Sequence, residues 1–366
     1  MSAAIRRFLT INPGSTSTKL ATFTVAGDGL VPEHLGTVVH PVDELKRFAD
    51  IPAQFEFRRD LVLAWLREKG LAVSDVDVFV GRGGFLRPIP SGAYRVNPVM
   101  IDHLRRQLTG RHPCNLGGLI AHGLATAAGT DQAYIVDPAI VDEMGDEARL
   151  SGLPEIPRVS KVHTLNHKAV GHRYAAQIGR KYTDLNLVIV HMGGGISIAA
   201  HQKGRMVDVN NGLDGEGAFT PERTGGLPVG DFMALCYSGR FTLEQMRRHT
   251  RGEGGMVAYL GTNDAGEVER RTLAGDEKAG LVYRAMAYQV AKDIGAYAAV
   301  LAFAVDAILL TGGLARSDLF CDWIAARVRK VAPVVRFPGG DEELALASGV
   351  WRGLRGENEL REYRGE

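Results

Sequence analysis

Phe8-Leu9-Thr10-Ile11-Asn12-Pro13-Gly14-Ser15-Thr16-Ser17-Thr18-Lys19-Leu20-Ala21-Thr22-Phe23-Thr24-Val25 is the stretch on which the reading of this chain turns. Phe8–Ile11 and Leu20–Val25 are apolar and β-branched, and the residues between them are turn formers and hydroxyls, which predicts a strand, a polar turn and a second strand. A loop that binds phosphate needs main-chain N–H groups left open by small residues, hydroxyl donors and a cation, and Asn12–Lys19 offers all of these. Taken alone, a hairpin rich in serine and threonine reads more readily as an ordinary turn, and its pairing with His191–Gly195 is what favours phosphate. The usual phosphate and dinucleotide signatures are absent, because the chain has neither a Walker A sequence nor a strand-linked GxGxxG.

The same unit recurs near mid-chain as Leu187–His191, the turn Met192-Gly193-Gly194-Gly195, and Ile196–Ala200. Each half then supplies a strand that ends in polar or glycine residues, Tyr134-Ile135-Val136-Asp137-Pro138 in the first and Ala307–Leu310 followed by Thr311-Gly312-Gly313 in the second. An internal duplication is the expectation. Helical stretches separate the strands. Lys278–Phe303 is the clearest, with Leu281, Met286, Val290, Ile294 and Tyr297 as its apolar stripe, so the class is α/β. Arg352–Glu366 is nearly all charge and glycine and reads as a surface helix end or a frayed tail.

A length of 366 residues suits two domains, each of roughly 150–200 residues. With 45% hydrophobic and 23% charged residues, disordered, collagen-like and fibrous readings are excluded. The 43 basic residues against 42 acidic ones leave a net charge of +1, so no global field attracts nucleic acid or anionic lipid and any anion must be captured locally. Cys114, Cys236 and Cys321 are scattered and odd in number, which fits a reducing cytoplasm better than a disulfide framework. The start of the chain has no signal-peptide core and the longest apolar run, Gly295–Val305, stops at Asp306, so neither secretion nor a membrane span is expected. The 45 glycines are clustered, which suggests main chain held close to a ligand.

Further motifs stand in order along the chain: Gly81-Arg82-Gly83-Gly84, Val136-Asp137-Pro138, His191–Ser197, Asp208-Val209-Asn210-Asn211, Gly215-Glu216-Gly217, Pro221-Glu222-Arg223, Gly261-Thr262-Asn263-Asp264 and Leu310-Thr311-Gly312-Gly313-Leu314. Together with Asn12–Lys19 they resemble the acetate and butyrate kinase family of short-chain acyl kinases. The resemblance implies two duplicated actin-like ATPase (ribonuclease H-like) domains with a nucleotide cleft between them. Residues 1–139 completed by 345–366 would form the N-terminal domain, and 140–344 would form the C-terminal domain with most of the nucleotide site.

The implied activity is reversible, Mg²⁺-dependent transfer of a phosphoryl group from ATP to butyrate, giving butyryl phosphate and ADP. Acetate, propionate or a branched-chain acid is the alternative substrate, and a nucleotide-binding regulator or chaperone ATPase of the same fold is the alternative class. By the same resemblance Asn12 lies beside the phosphates and Mg²⁺, with Ser15, Ser17 and Lys19 completing its loop. Arg82 faces the substrate carboxylate and the phosphoryl group, Asp137 stands near the metal, His163 helps hold the phosphate, and Arg223 stands for a second active-site arginine. His191, Gly193, Gly194 and Gly195 match the second phosphate loop. Asp264 falls in the nucleotide region, and Gly312 and Gly313 match the adenosine-side turn. Glu342 matches the metal-associated glutamate, or Glu343 if the register slips by one. Gly266 stands where relatives commonly carry an arginine, and His167 where butyrate kinases often carry glutamine. A homodimer or larger homo-oligomer is implied, with no nucleic-acid or membrane partner.

Plainer readings stand beside some of these residues. His163 and His167 are four apart, as in a zinc pair, but no glutamate follows as in HExxH and no cysteine or carboxylate clusters nearby, which favours phosphate contact or helix packing. Asp137 could cap a following helix. Arg82 and Arg223 could be surface arginines, although both lie in glycine-rich segments.

Overall fold

β1 (Arg7–Pro13) is buried from Phe8 to Pro13, so it needs strand partners on both edges and cover on both faces. The computed structural model, which describes residues 5–365, supplies both. β1 pairs antiparallel with β2 (Ser17–Ala26), which pairs antiparallel with β3 (Gly29–Val39). On its other edge β1 runs parallel to β4 (Val78–Arg82). Beyond β4 lie β6 (Ala133–Val136), parallel to it, and β5 (Ala93–Arg95), antiparallel to β6.

The second sheet repeats this plan. β7 (Asn186–Met192), β8 (Ile196–Gln202) and β9 (Arg205–Val209) form an antiparallel meander, and β10 (Ala307–Gly312) and β11 (Val334–Pro338) add in parallel beside β7. The order β3-β2-β1-β4-β6 in one sheet therefore matches β9-β8-β7-β10-β11 in the other. The duplication seen in the motifs is a duplication of strand order.

Strand periodicity explains the layers. Leu187 and Ile189 with Ala307 and Leu309 face Val170 of the helix Thr164–Gln177. Val188 and Val190 with Ile308 and Leu310 face Met286, Val290 and Ile294 of the helix Glu277–Val300. In the first sheet Leu9, Ile11 and Phe79 pack with Val62 and Leu66 of the helix Phe55–Glu68 and with Leu116 and Ile120 of the helix Asn115–Ala127. On the opposite face Phe8 meets Trp351 of the helix Glu342–Leu354 edge to face, with ring centroids 5.9 Å apart.

The chain divides into two compact units, one made of residues up to Val141 and from Asp341 onward, the other of Asp142–Gly340. The C-terminal segment thus returns to the first sheet, and there the composition of Arg352–Glu366 misleads. The surface helix end is there, but the described residues beyond it are not a frayed tail. The helix runs on to Leu354, and β12 (Leu360–Glu362) pairs with β5. Tyr363 is buried, its hydroxyl accepting from the Arg87 main-chain N–H and lying 2.8 Å from His103 Nδ1. The long helix predicted over Lys278–Phe303 spans Glu277–Val300 instead. Ala302 and Phe303 adopt positive φ after it, and Leu281, assigned to the stripe, is 63% exposed while Val282 and Tyr283 take the core positions.

Where Gly81 meets Gly117, β4 and the helix Asn115–Ala127 touch main chain to main chain. A Cβ on Gly117 would overlap the Arg82 carbonyl oxygen, and one on Gly81 would overlap the Gly117 carbonyl. Gly117→Ala should therefore destabilise the protein by about 2 kcal/mol or more through overpacking, read as a lower urea midpoint. An unchanged midpoint would mean that this helix can move off the strand without cost.

Candidate active site

Parallel strands in an open sheet present their carboxyl ends at one edge, where α/β folds place ligands. In the first sheet Ile11 pairs with Gly81 and Arg82 pairs with Val136, so Asn12, Arg82 and Asp137 emerge in order from β1, β4 and β6. The helix Glu342–Leu354 brings two carboxylates to the same edge. Asn12 Nδ2 donates to Glu342 Oε2 at 2.8 Å and to Glu343 Oε1 at 3.2 Å. Arg82 Nη1 donates to Asn12 Oδ1 and to Glu342 Oε2, each at 3.2 Å. Both glutamates reach Asn12, and Glu342 alone of the two also meets Arg82. Their place in the first turn of the helix is favourable for negative charge.

Asp137 is held differently. Its φ is +39°, rare outside glycine, and its Oδ1 accepts from the Gly92 N–H at 2.7 Å. No helix begins directly after it, so the capping role does not apply. Arg352, whose charge burial disfavours, is partly supported by the negative charge of Asp137. Arg352 escaped the sequence reading because it sits in a charge-rich tail.

The loop after β1 is closed by Gly14 N–H donating to Ser17 O at 2.7 Å, and Ser15 and Lys19 are exposed. Beneath it lies Arg58, wholly buried, donating to Gly14 O at 2.8 Å and to Ser15 O at 3.1 Å. Arg58 makes no ion pair among the described residues, and burial lowers its pKa to about 10, which leaves it charged. A positive charge lodged under this loop favours an anion above it. The sequence held a signal for Arg58 that was missed. It shares a helix face with Val62, Trp65 and Leu66, all buried.

The second unit carries the matching edge. His191 on β7 pairs with Thr311 on β10, and the turn after β7 is tied by Gly193 N–H to Gly195 O at 2.9 Å and by Thr220 Oγ1 donating to Gly194 O at 2.6 Å. Gly312 has φ +89° and packs on the Met192 main chain, where any Cβ would overlap the Met192 carbonyl. Gly313 follows, exposed, at the start of a short helical turn. Arg223 lies across Gly195 and donates through Nη1 to Gly212 O. Burial lowers its pKa, offset in part by Glu222 and Asp214. Asp264 is exposed and caps the helix Ala265–Leu273, accepting from the N–H groups of Gly266 and Glu267.

His163 precedes the helix Thr164–Gln177 and stacks on His191, ring centroids 4.0 Å apart. His191 Nδ1 lies 2.9 Å from Asn166 Oδ1, and His163 Nδ1 lies 2.9 Å from Ser197 Oγ. His167 reaches the same Ser197 Oγ from within the helix through Nε2, also at 2.9 Å. The spacing of four in sequence serves one hydroxyl, and no cluster of three His, Cys, Asp or Glu residues that could hold a metal occurs among the described residues.

The structure thus gathers Asn12, Arg82, Glu342 and Glu343 in one unit and His163 and His191 in the other. The Glu342 and Glu343 carboxylates and Asn12 Oδ1 are hard oxygen donors. That set suits Mg²⁺, which binds through one or two carboxylates and completes its shell with water and phosphate.

The acetokinase family profile matches residues 122–326, over half of the chain. The chain belongs to the acetokinase family. Butyrate kinase 2 and butyrate kinase 1 of Clostridium acetobutylicum are 50% and 48% identical to this family member over 358 residues, 98% of this chain and 99% of each relative. Among solved structures, the acetate kinase of Porphyromonas gingivalis superposes with a TM-score of 0.74 at 19% identity, covering 94% of this chain and 98% of that one. A propionate kinase from Francisella tularensis gives 0.70 at 19% identity over 94% and 99%. At such identities the likeness concerns the fold, and the doubled sheet is the actin-like ATPase fold of these acetokinases.

Burial also gives the site a pH signature. His40, 2.8 Å from Thr18 Oγ1 beside the first loop, has its pKa lowered to about 4 by burial and then by Arg58, and burial holds His167 and His201 well below 6.5. In that window the unfolded chain binds more protons than the folded one, so stability rises with pH. The urea midpoint should fall as pH drops from 6.5 towards 4, and His40→Gln should flatten part of that slope. A flat profile would refute buried neutral histidines.

Proposed function

We propose that this chain transfers the γ-phosphoryl group of ATP to butyrate, reversibly, forming butyryl phosphate and ADP. The observation that carries the reading is 50% identity, over nearly the whole of both chains, to the butyrate kinase 2 of Clostridium acetobutylicum. A carboxylate is already an anionic nucleophile, so the reaction needs positioning and charge neutralisation rather than a base. Arg82, anchored by Asn12 and Glu342 at the end of β4, is the cation for the acid and the phosphoryl group. Arg223 and His163 are further groups for phosphoryl oxygens.

Ser15, Ser17, Lys19 and the charge of Arg58 suit the first loop to phosphate, and His191 with Gly193, Gly194 and Gly195 makes the second loop. Gly312, Gly313 and Asp264 belong to the nucleoside side. Asn12, Glu342 and Asp137 would hold Mg²⁺, which when bound neutralises phosphate oxygens during transfer. Glu343, 3.2 Å from Asn12 Nδ2, would be the alternative to Glu342 as ligand.

The protein would act in the cytoplasm as a homodimer or larger assembly, without nucleic-acid or membrane partners. No helix among the described residues is long and apolar enough to cross a membrane. The helix Val229–Cys236 buries none of its residues, and Val229 and Met233 on it are largely exposed, an apolar face that supports self-assembly. Acetate, propionate and branched acids remain the competing substrates, because a pocket gains only about 1–3 kcal/mol per methylene.

Hydroxylamine trapping of acyl phosphate formed from Mg-ATP, with acetate, propionate, butyrate, isobutyrate and valerate in parallel, should give the highest kcat/KM with butyrate. A maximum at acetate would move the substrate assignment, and no product from folded, ATP-binding protein would refute the kinase reading. Arg82→Ala should lower kcat by at least about 100-fold through lost transition-state stabilisation, with the far-UV spectrum unchanged. A rate near wild type would remove Arg82 from the mechanism.

A further inference from the structure

His163 is the visible end of a chain of polar groups that runs into the second unit. Its Nδ1 lies 2.9 Å from Ser197 Oγ, which lies 2.9 Å from His167 Nε2. His167 Nδ1 lies 3.2 Å from His201 Nε2, and His201 Nδ1 lies 2.6 Å from the Tyr182 hydroxyl. Ser197, His167 and His201 are fully buried and Tyr182 is 5% exposed. We propose that this chain is an oriented hydrogen-bond relay that fixes which nitrogen of His163 carries its proton. Ser197, His167, His201 and Tyr182 would then be positioning residues for the imidazole that meets the phosphoryl group. The inference rests on the role of His163 in the proposed reaction.

The logic is one of donors and acceptors. Burial holds His167 and His201 neutral, and a neutral imidazole has one N–H and one lone pair. With both nitrogens of each ring engaged, the protons on the two rings must point the same way along the chain. A neighbouring charge chooses the direction. Lys168, paired with Glu143 at 2.6 Å, holds its ammonium 5.7 Å from the centre of the Tyr182 ring and acts on His201. A cation at that end favours lone pairs towards it and protons away from it.

Tyr182 therefore donates to His201, His201 to His167, and His167 towards Ser197. The Ser197 hydroxyl donates to His163 Nδ1. His163 is left with its proton on Nε2, a donor suited to phosphate oxygen. The stacked His191 carries the opposite arrangement, its Nδ1 facing the Asn166 amide oxygen at 2.9 Å. The two imidazoles can thus offer a donor and an acceptor side by side.

The test is imidazole ¹⁵N NMR of the full chain labelled at histidine, with the His163 signals assigned through His163→Gln. Wild type should show the Nε2–H tautomer at His163. Tyr182→Phe, which keeps the ring packed on His172 and His201, and Ser197→Ala should each convert it to a tautomer mixture and lower kcat by about 10-fold to 100-fold with little change in KM. A wild-type His163 protonated on Nδ1 would overturn the relay, as would a tautomer ratio unmoved by both variants. The NMR readout needs no substrate, so it decides the relay by itself. An unchanged kcat in His163→Gln would instead sink the catalytic reading of His163.

Discussion

Glu342 reaches Asn12 across 330 positions of sequence, and the arrangement of the first unit follows from that contact. For the carboxylate to lie there, the chain must leave the first sheet after Val141, complete the second unit, and come back at Asp341. The return helix covers the open face of the first sheet through Trp351 on Phe8, and β12 extends its edge. One crossing therefore provides cover for a core, a strand for an edge and two acids for a site. The close approach of Gly81 and Gly117 plays the complementary part, because it seats the helix Asn115–Ala127 directly on the β4 main chain, up to the Arg82 carbonyl.

The two units handle charge in opposite ways. The first buries a lone guanidinium, Arg58, under a loop of main-chain carbonyls, and places Arg82 between an amide and a carboxylate. Both are cations prepared for an anion. The second relies on imidazoles kept neutral by burial, together with an arginine laid over a glycine turn. One unit thus carries fixed charge and the other oriented dipoles, two different ways of meeting an anion.

What the sequence disclosed were local signals. Glycine and hydroxyl turns between short apolar strands marked both loops, and the paired motifs marked the duplication that appears as a repeated strand order. Arg82 and Glu342 could be named, but their contact could not, because nothing within a short window says which distant helix returns to β4. Arg58 and the relay were hidden for a related reason. Ser197 and His201 share one face of β8, opposite Ile196, Ile198 and Ala200, while His163 stands just before a helix and His167 one turn into it. Each pattern is visible alone, and only packing joins them. Beyond the helix end at Leu354 the frayed-tail reading failed differently, since charge composition says nothing about Tyr363, which is buried.

The discontinuous first unit has a consequence for synthesis. Domains fold broadly in the order in which they leave the ribosome, yet here the earliest strands lack their covering helix and last strand until the end of the chain has emerged. The second unit is contiguous and can close first. A nascent chain that has already made Asn12 and Arg82 still lacks Glu342 and Glu343, so the contacts that hold those two side chains in place form only after residues 342 and 343 emerge. The edge that gathers these groups is thus completed late in synthesis, although its first residue is among the earliest made.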